Sequence, residues 1–552
     1  MTTDMRKLIF TALLMTGASL GASAQNAYKI LSECDTTVKA KIENVALGSR
    51  DVRHFVYEYP SKDGDGQPVT ISGIVMVPAD IANGTTPCDG IILFNHHTIG
   101  GPEQAPSQGG LDVPSGILAN PLKPNYIIVM SDYIGYGSSI DHKIAYLCGD
   151  TNARNSLDGL LAARQLLDDK QIPQGRFLFN MGYSQGGTES MYIAKLRDME
   201  YKDRGITFDK TFSGGGMLDC EEAYSAYIEK DQCDAINDVA MFLISVNENC
   251  HLGIDYHDLF QEPLASHVQE VIETKSKSVF SRIGVSDLDS LHQLLQPAYM
   301  DKNSDAAKAL KAKLAEIKIT NGWEPDTTQC YFIEHSRHDN YVPIKCGRAI
   351  IPWMKDKGFK ASLVPGKTRL QTNTIVFKLK HQPSAAVWFV QTMAAVQAWP
   401  VIYYEGEQNR YYHDVVKDLN LMKVVKFLES LGIDLRKMFS TSQARAFMAA
   451  PRKANIFELL LQVQDALAKV DLTISDVIEM INDSGITAED IIEVYNYIKN
   501  TDSAARVTDT ITLGEHVEVP VYLLRHFEQT LADWLLLGGV DVQYDQWGYL
   551  DK

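Results

Sequence analysis

Apolar and polar positions alternate along two runs near the start of the chain, which predicts a β-hairpin. Residues 52–59 (VRHFVYEY) and 69–77 (VTISGIVMV) have the two-residue period and the β-branched and aromatic side chains of strands. Between them, residues 61–66 (SKDGDG) supply the aspartates and glycines of a turn. The sheet is therefore expected to begin with an antiparallel pair.

Beyond residue 90 the pattern changes to short apolar runs that alternate with amphipathic segments. The runs have the length of buried strands and lie at residues 91–94, 126–130, 177–181, 210–212, 330–333 and around 374–379. Residues 155–168 and 188–199 place apolar side chains at the helical period. This order predicts an α/β fold with a mostly parallel central sheet that is covered by helices on both faces.

Two long segments have mostly helical patterns and divide the chain into regions. Residues 220–319 follow the sixth predicted strand and separate the sheet-forming sequence into a first part, 25–219, and a second part, 320–402. Residues 403–552 form a C-terminal region that is expected to be all helical. We therefore expect a helical insertion within the α/β core and a helical extension after it.

The sequence GYSQG at residues 182–186 matches the G-x-S-x-G pattern of a strained turn that presents a nucleophilic serine. A predicted buried strand precedes it and a predicted helix follows, as this kind of turn requires. The flanking glycines let the backbone bend sharply without a Cβ clash. Ser184 is therefore the candidate nucleophile, and an ordinary glycine-rich turn is the alternative.

A serine nucleophile needs a base, and the base needs an acid that orients it. In a fold of this kind the chain order is serine, acid and histidine, with each at the end of a later strand. Asp339 and His381 each follow a later predicted strand and are the candidate acid and base. His413 is the alternative base. His335 and His338 precede Asp339 in its loop and are expected to shape that loop.

The negative charge that develops during acyl transfer must be met by two backbone N–H groups. One belongs to Gln185, directly after the serine, and the other to Thr98 or His97 in the loop after an early strand. His96 and His97 with Asp132 are an alternative set of metal ligands. Adjacent histidines rarely bind one ion, so we expect no metal site.

The N-terminus has the pattern of a signal peptide. Arg6 and Lys7 precede an apolar run to about residue 20, and small residues at 22–24 (ASA) supply a cleavage site. Residues 1–24 are therefore predicted to be a signal peptide for export. The mature protein is expected in the periplasm or outside the cell. Eight cysteines fit disulfides in such a compartment, and the favoured pair is Cys330 with Cys346, since these flank the acid loop.

Composition and charge narrow the range of partners. The chain has 552 residues, of which 45% are hydrophobic and 22% charged, and its formal net charge is −18. Such a charge repels nucleic-acid phosphates and anionic lipids. We expect a small-molecule or lipid-like substrate, no nucleic acid, no integral membrane segment in the mature chain, and room for a protein partner on the C-terminal helices.

Five motifs in a fixed order make the chain similar to the secretory lipase family and its bacterial relatives, within the α/β-hydrolase fold. They are FNHHT at 94–98, SDYIGYG at 131–137, GYSQGG at 182–187, SGGG at 213–216 and DNYVP at 339–343. The resemblance covers roughly residues 51–400. It implies a triad of Ser184, Asp339 and His381, a helical lid over residues 220–319, and ester hydrolysis without a cofactor. Family members commonly have His-Gly where this chain has His96-His97, which bears on the second oxyanion donor.

The chain is therefore expected to be an exported serine hydrolase that cleaves carboxylic esters through an acyl-enzyme. A serine peptidase acting on short peptides is a second interpretation, in which Glu221 and Glu222 would bind a free amine. The third is a binding or assembly protein with a vestigial triad, whose function would lie in the C-terminal region.

Overall fold

The computed structural model describes residues 27–42, 45–119, 124–230, 234–287, 290–359, 370–375, 379–403, 510–513 and 517–520. Its strands, in chain order, are β1 (Lys29–Ile42), β2 (Val45–Lys62), β3 (Pro68–Pro78), β4 (Gly90–Asn95), β5 (Tyr126–Ser131), β6 (Phe177–Tyr183), β7 (Lys210–Gly214), β8 (Tyr331–Ser336), β9 (Leu370–Ile375), β10 (Thr510–Leu513) and β11 (Val517–Pro520).

The helices are α1 (Ala79–Ala82), α2 (Asp112–Ala119), α3 (Thr151–Asp169), α4 (Gln185–Leu196), α5 (Cys220–Lys230), α6 (Ile236–Asn249), α7 (Tyr256–Leu259), α8 (Val268–Thr274), α9 (Ser278–Arg282), α10 (Leu291–Leu294), α11 (Pro297–Met300), α12 (Asp305–Glu316), α13 (Ile344–Arg348), α14 (Ile350–Asp356) and α15 (His381–Tyr403). A π-helical turn at Arg197–Tyr201 extends α4. None of the helices in the described ranges is both long enough and apolar enough to cross a membrane.

One sheet organises the molecule, with the strand order β1-β2-β3-β5-β4-β6-β7-β8-β9. The pairs from β1 to β3 and the β3–β5 pair are antiparallel, and every pair from β5 through β9 is parallel. This arrangement confirms the predicted antiparallel start and the mostly parallel sheet. It also brings the carboxyl ends of β4, β6, β7, β8 and β9 to one edge, where side chains from distant parts of the chain meet.

Both faces of the sheet are buried, which explains why its central strands are continuous apolar runs. Along β4, Ile91 and Leu93 pack into the core beneath α3 and α4, whereas Ile92 and Phe94 pack into the opposite core with residues of α2 and α15. Successive strand side chains point to opposite faces, so a strand buried on both sides needs apolar residues at every position.

The helical insertion follows β7 and has a core of its own. Its described residues form α5 to α12, and α6 lies among them with nearly every residue buried. The insertion comes after the seventh strand and not the sixth, because the sequence patterns missed β1. This strand pairs only with β2, and most of its side chains are exposed, so apolar and polar residues alternate only in its last five residues (VKAKI).

Two further expectations are wrong. The C-terminal region is not all helical, because β10 and β11 form an antiparallel pair of strands. Residues 404–509 lie outside the described ranges. Cys330 and Cys346 do not form a disulfide. Cys330 comes just before the first residue of β8, whereas Cys346 lies in α13, after the end of that strand. The length of β8, about 20 Å, therefore separates the two cysteines.

Candidate active site

The turn between β6 and α4 holds Ser184 in an unusual backbone conformation. Ser184 has φ 59° and ψ −123°, and residues other than glycine rarely adopt a positive φ. A Cβ atom on Gly186 would lie 2.0 Å from the Asn95 carbonyl oxygen, and one on Gly182 would lie 2.3 Å from the Gly186 oxygen. The glycines are therefore needed for the close approach of this turn to the end of β4.

Ser184, His381 and Asp339 form one hydrogen-bonded chain, although they lie far apart in the sequence. The Ser184 hydroxyl lies 2.9 Å from His381 Nε2, and His381 Nδ1 lies 2.7 Å from Asp339 Oδ2. A carboxylate can only accept hydrogen bonds, so the ring proton sits on Nδ1 and the Nε2 lone pair faces the serine hydroxyl. This tautomer is the one that can take the serine proton.

Asp339 is held by its own loop as well as by the histidine. Its Oδ1 atom accepts hydrogen bonds from the backbone N–H groups of Tyr341 at 2.9 Å and Val342 at 2.8 Å. Burial raises the pKa of the Asp339 carboxyl, but the charge of His381 and its hydrogen bond outweigh burial, so the pKa lies below the usual value. The carboxyl is therefore ionised at neutral pH, as the orienting role requires.

The ring of His381 is fixed from further sides by residues that the sequence patterns did not single out. Its backbone N–H donates to Asn340 Oδ1 at 2.9 Å, and its imidazole stacks on the Tyr341 ring with centroids 4.9 Å apart. Asn340 and Tyr341 belong to the DNYVP motif, which was the available signal. Tyr183, just before the nucleophile, donates to the His381 carbonyl at 2.7 Å.

The other histidines considered as bases lie elsewhere. His335 Nε2 lies 2.9 Å from the Val342 carbonyl and 3.5 Å from Asp339 Oδ2, and burial lowers the pKa of its imidazole. This neutral ring packs behind the acid loop. His338 is exposed in the same loop, and His413 is outside the described residues.

The loop after β4 lies against the nucleophile turn, since the carbonyl groups of Asn95 and His96 crowd the position of Gly186. This loop carries both candidate second donors, His97 and Thr98. The Thr98 hydroxyl lies 2.8 Å from that of Tyr146. The third candidate, Gln185, is the first residue of α4, where a backbone N–H has no acceptor within the helix.

His96, His97 and Asp132 do not converge as metal ligands. His96 Nδ1 is 2.8 Å from the His97 carbonyl, and burial lowers the pKa of its imidazole to about 4. The Asp132 carboxyl accepts hydrogen bonds from Ser72 Oγ at 2.6 Å and from the Ser107 backbone N–H at 2.8 Å. Within the described ranges no group of three histidine, cysteine or acidic side chains could hold a metal ion.

A cavity of about 420 Å³, including its open mouth, begins at Ser184. Tyr227 of α5 and Asp238, Val239 and Phe242 of α6 form its wall on the side of the insertion. The Asp238 carboxylate pairs with Lys277, so the wall is apolar apart from this ion pair. The insertion thus contributes directly to the space in front of Ser184.

Glu221, one of the two carboxylates considered for binding a free amine, is engaged elsewhere. Its side chain forms ion pairs with Lys311 and Lys318, and it is not among the residues that line the cavity. The structure therefore gives no support to the amine-binding role.

Solved structures share this architecture. A presumed hydrolase from Legionella pneumophila subsp. pneumophila is similar with a TM-score of 0.55 and 18% identity, over 69% of this chain and 98% of that one. The rice cell wall degrading esterase LipA from Xanthomonas oryzae is similar with a TM-score of 0.53 and 18% identity, over 67% and 96%. Neither a protein-family model nor a curated protein sequence matches the chain. The structural likeness shows the α/β-hydrolase fold.

Proposed function

We propose that this α/β-hydrolase is a serine hydrolase that cleaves carboxylic esters, with Ser184 as nucleophile, His381 as general base and acid, and Asp339 as the orienting acid. The observation that carries the proposal is the hydrogen-bonded chain of these three residues, at 2.9 Å and 2.7 Å, at the entrance of a largely apolar cavity. The likeness to a cell wall degrading esterase supports the same chemistry.

The reaction follows from the direction of these hydrogen bonds. As Ser184 Oγ bonds to the ester carbonyl carbon, His381 Nε2 takes the hydroxyl proton, and Asp339 stabilises the resulting imidazolium. When the tetrahedral intermediate collapses, the alcohol leaves with the proton from Nε2. Water then attacks the acyl-enzyme by the same route, releasing the acid and restoring the serine.

Backbone N–H groups stabilise the oxyanion in both halves of the reaction. The Gln185 N–H lies at the positive end of α4, directly after the nucleophile, and the second donor is the N–H of His97 or Thr98. Removing one such donor typically costs about two to three orders of magnitude in kcat.

The insertion is proposed to act as a lid that limits the size of the substrate. This part of the proposal rests on Tyr227, Val239 and Phe242, which face the cavity from α5 and α6. The signal-peptide pattern over residues 1–24 supports export, so the substrate would be met in the periplasm or outside the cell.

The test is hydrolysis of an ester series from acetyl to long acyl chains, alongside matched amides, with Ser184→Ala as the blank. We expect ester turnover by the parent protein and none by the variant, and the preferred chain length should reflect the cavity. Amides cleaved faster than esters would favour the peptidase interpretation. Absence of turnover and of fluorophosphonate labelling at Ser184 in folded protein would overturn the proposal.

A further inference from the structure

A buried carboxyl lies behind the nucleophile and takes no part in the chemistry proposed above. Glu189 is on α4, about one turn beyond Ser184, and its side chain is only 1% exposed. Its Oε1 atom accepts a hydrogen bond from Asn152 Nδ2 at 2.9 Å, and Gln185 lies about one turn before it at the start of the same helix. A buried carboxyl at this place needs a physical reason, because burying a polar group costs free energy.

The hydrogen bonds continue from Asn152 toward the other side of the site. Asn152 Nδ2 also donates to the Ala145 carbonyl at 2.8 Å, and the next residue, Tyr146, lines the cavity. The Tyr146 hydroxyl lies 2.8 Å from Thr98 Oγ1. The start of α4 is therefore connected through Glu189 and Asn152 to the loop that carries Thr98.

The two ends of this chain of contacts are the two segments that supply the candidate oxyanion donors. We propose that Glu189 is a positioning residue, which through the first turn of α4 and its hydrogen bond with Asn152 fixes the turn at Ser184 relative to the loop at residues 97–98. The inference rests on the proposed function of Ser184, because only acyl transfer gives these backbone N–H groups a shared task. A shift of a few tenths of an ångström between them would weaken both hydrogen bonds to an oxyanion.

The protonation state of Glu189 fits this role. Burial raises its pKa to about 8, against the lowering effect of the Asn152 hydrogen bond, and the nearby Asp150 charge adds to the rise. The titratable groups that face it are Tyr133 after β5, Cys148 and Asp150 before α3, and Tyr192 and Lys195 on α4, where Lys195 pairs with Asp150 at 3.7 Å.

The carboxyl is consequently neutral at pH 7 and becomes negative above its pKa of about 8. A negative charge close behind the oxyanion donors would oppose the negative charge of the intermediate. Ionisation of Glu189 should therefore lower kcat, and a neutral amide at this position should remove that effect.

The decisive comparison uses Glu189→Leu, Glu189→Gln and the full-length parent, with a short-chain ester at pH 7. We expect Glu189→Leu to lower kcat by about tenfold or more while KM changes less than about threefold, since the defect lies in the transition state. Glu189→Gln keeps an acceptor for Asn152 and should recover most of kcat. Glu229→Leu, the same change at an exposed position near the end of α5, is the matched control and should behave as the parent.

The pH dependence provides a second readout that does not depend on the leucine variant being folded. The parent should lose kcat as the pH rises through about 8, and Glu189→Gln should not. The inference is overturned if folded Glu189→Leu keeps the parent kcat, if Glu189→Gln is as impaired as Glu189→Leu, or if the parent and Glu189→Gln share the same alkaline decline. Fluorophosphonate labelling of Ser184 in the parent separates these outcomes from failure of the proposed ester hydrolysis itself.

Discussion

Replacing Asp339 with asparagine tests the proposed mechanism at the point where the structure makes the most definite statement. Asparagine has one acceptor oxygen, and two backbone N–H groups, those of Tyr341 and Val342, already require it at 2.9 Å and 2.8 Å. The amide NH₂ must then face His381 Nδ1. Because an NH₂ group can only donate, the imidazole is forced to carry its proton on Nε2, pointing at Ser184.

In that tautomer the histidine cannot accept the serine proton. Loss of the correct tautomer in a serine triad lowers kcat by about 10⁴, which corresponds to about 5.5 kcal/mol of transition-state stabilisation. KM should change little, because no atom of Asp339 lines the cavity. The loop should keep its conformation, since both backbone hydrogen bonds to Oδ1 survive.

The assay is steady-state hydrolysis of the best ester of the series at pH 7, with the melting temperature measured in parallel. Asp65→Asn, the same change at an exposed side chain, serves as the control and should match the parent. A folded Asp339→Asn protein that retains more than about one hundredth of kcat would refute the reasoning. In that case the hydrogen bond at 2.7 Å would not determine the state of the histidine.

Three other changes test the remaining parts of the structure. Gly186→Ala places a methyl group 2.0 Å from the Asn95 oxygen, so kcat should collapse and the melting temperature should fall by the equivalent of about 2 kcal/mol; an unaltered enzyme would contradict the close packing. Val239→Ala should move the preferred acyl chain toward longer esters and Val239→Phe toward shorter ones, and an unchanged preference in both would exclude this wall from specificity. The sulfur atoms of Cys148 and Cys250 lie 3.3 Å apart. Oxidised glutathione should therefore oxidise the two thiols to a disulfide, and it is itself reduced to two glutathione thiols. That bond should raise the melting temperature by the equivalent of up to about 4 kcal/mol in the parent but not in Cys250→Ser, and intact mass spectrometry without loss of two hydrogens would count against it.

The sequence predicts those parts of the fold that have a local signature. β2 to β8 are recognisable because each has an apolar run and a turn within about ten residues of sequence. The turn at Ser184 is recognisable because its close backbone contacts require glycines. Asp339 and His381 could be selected because the chain order of the fold leaves few alternatives. β1 has only a short local signature, because most of its side chains are exposed at the edge of the sheet and only its last five residues (VKAKI) alternate.

The supporting residues of the site could not be predicted for a different reason. Glu189 lies in a segment (TESMYIAKLRDM) that resembles an amphipathic surface helix, in which a charged residue is expected to face water. In the structure every residue of α4 is buried, because the helix packs between the central strands of the sheet and α3. Burial of this kind depends on contacts between segments more than a hundred residues apart, such as Tyr192 with the Ile317 carbonyl.

The position of the triad across the sheet has a consequence for how the protein would fail on heating. Ser184 follows β6, which has neighbours on both sides, whereas His381 follows β9, the outermost strand of that side in the described sheet. Edge strands separate from a sheet at a lower free-energy cost than central ones. Separation of β9 would withdraw His381, the proposed base, while the turn at Ser184 remained in place. Activity should therefore be lost at a lower temperature than that of global melting, and it should return on cooling. The edge of the sheet would then set the temperature limit of activity.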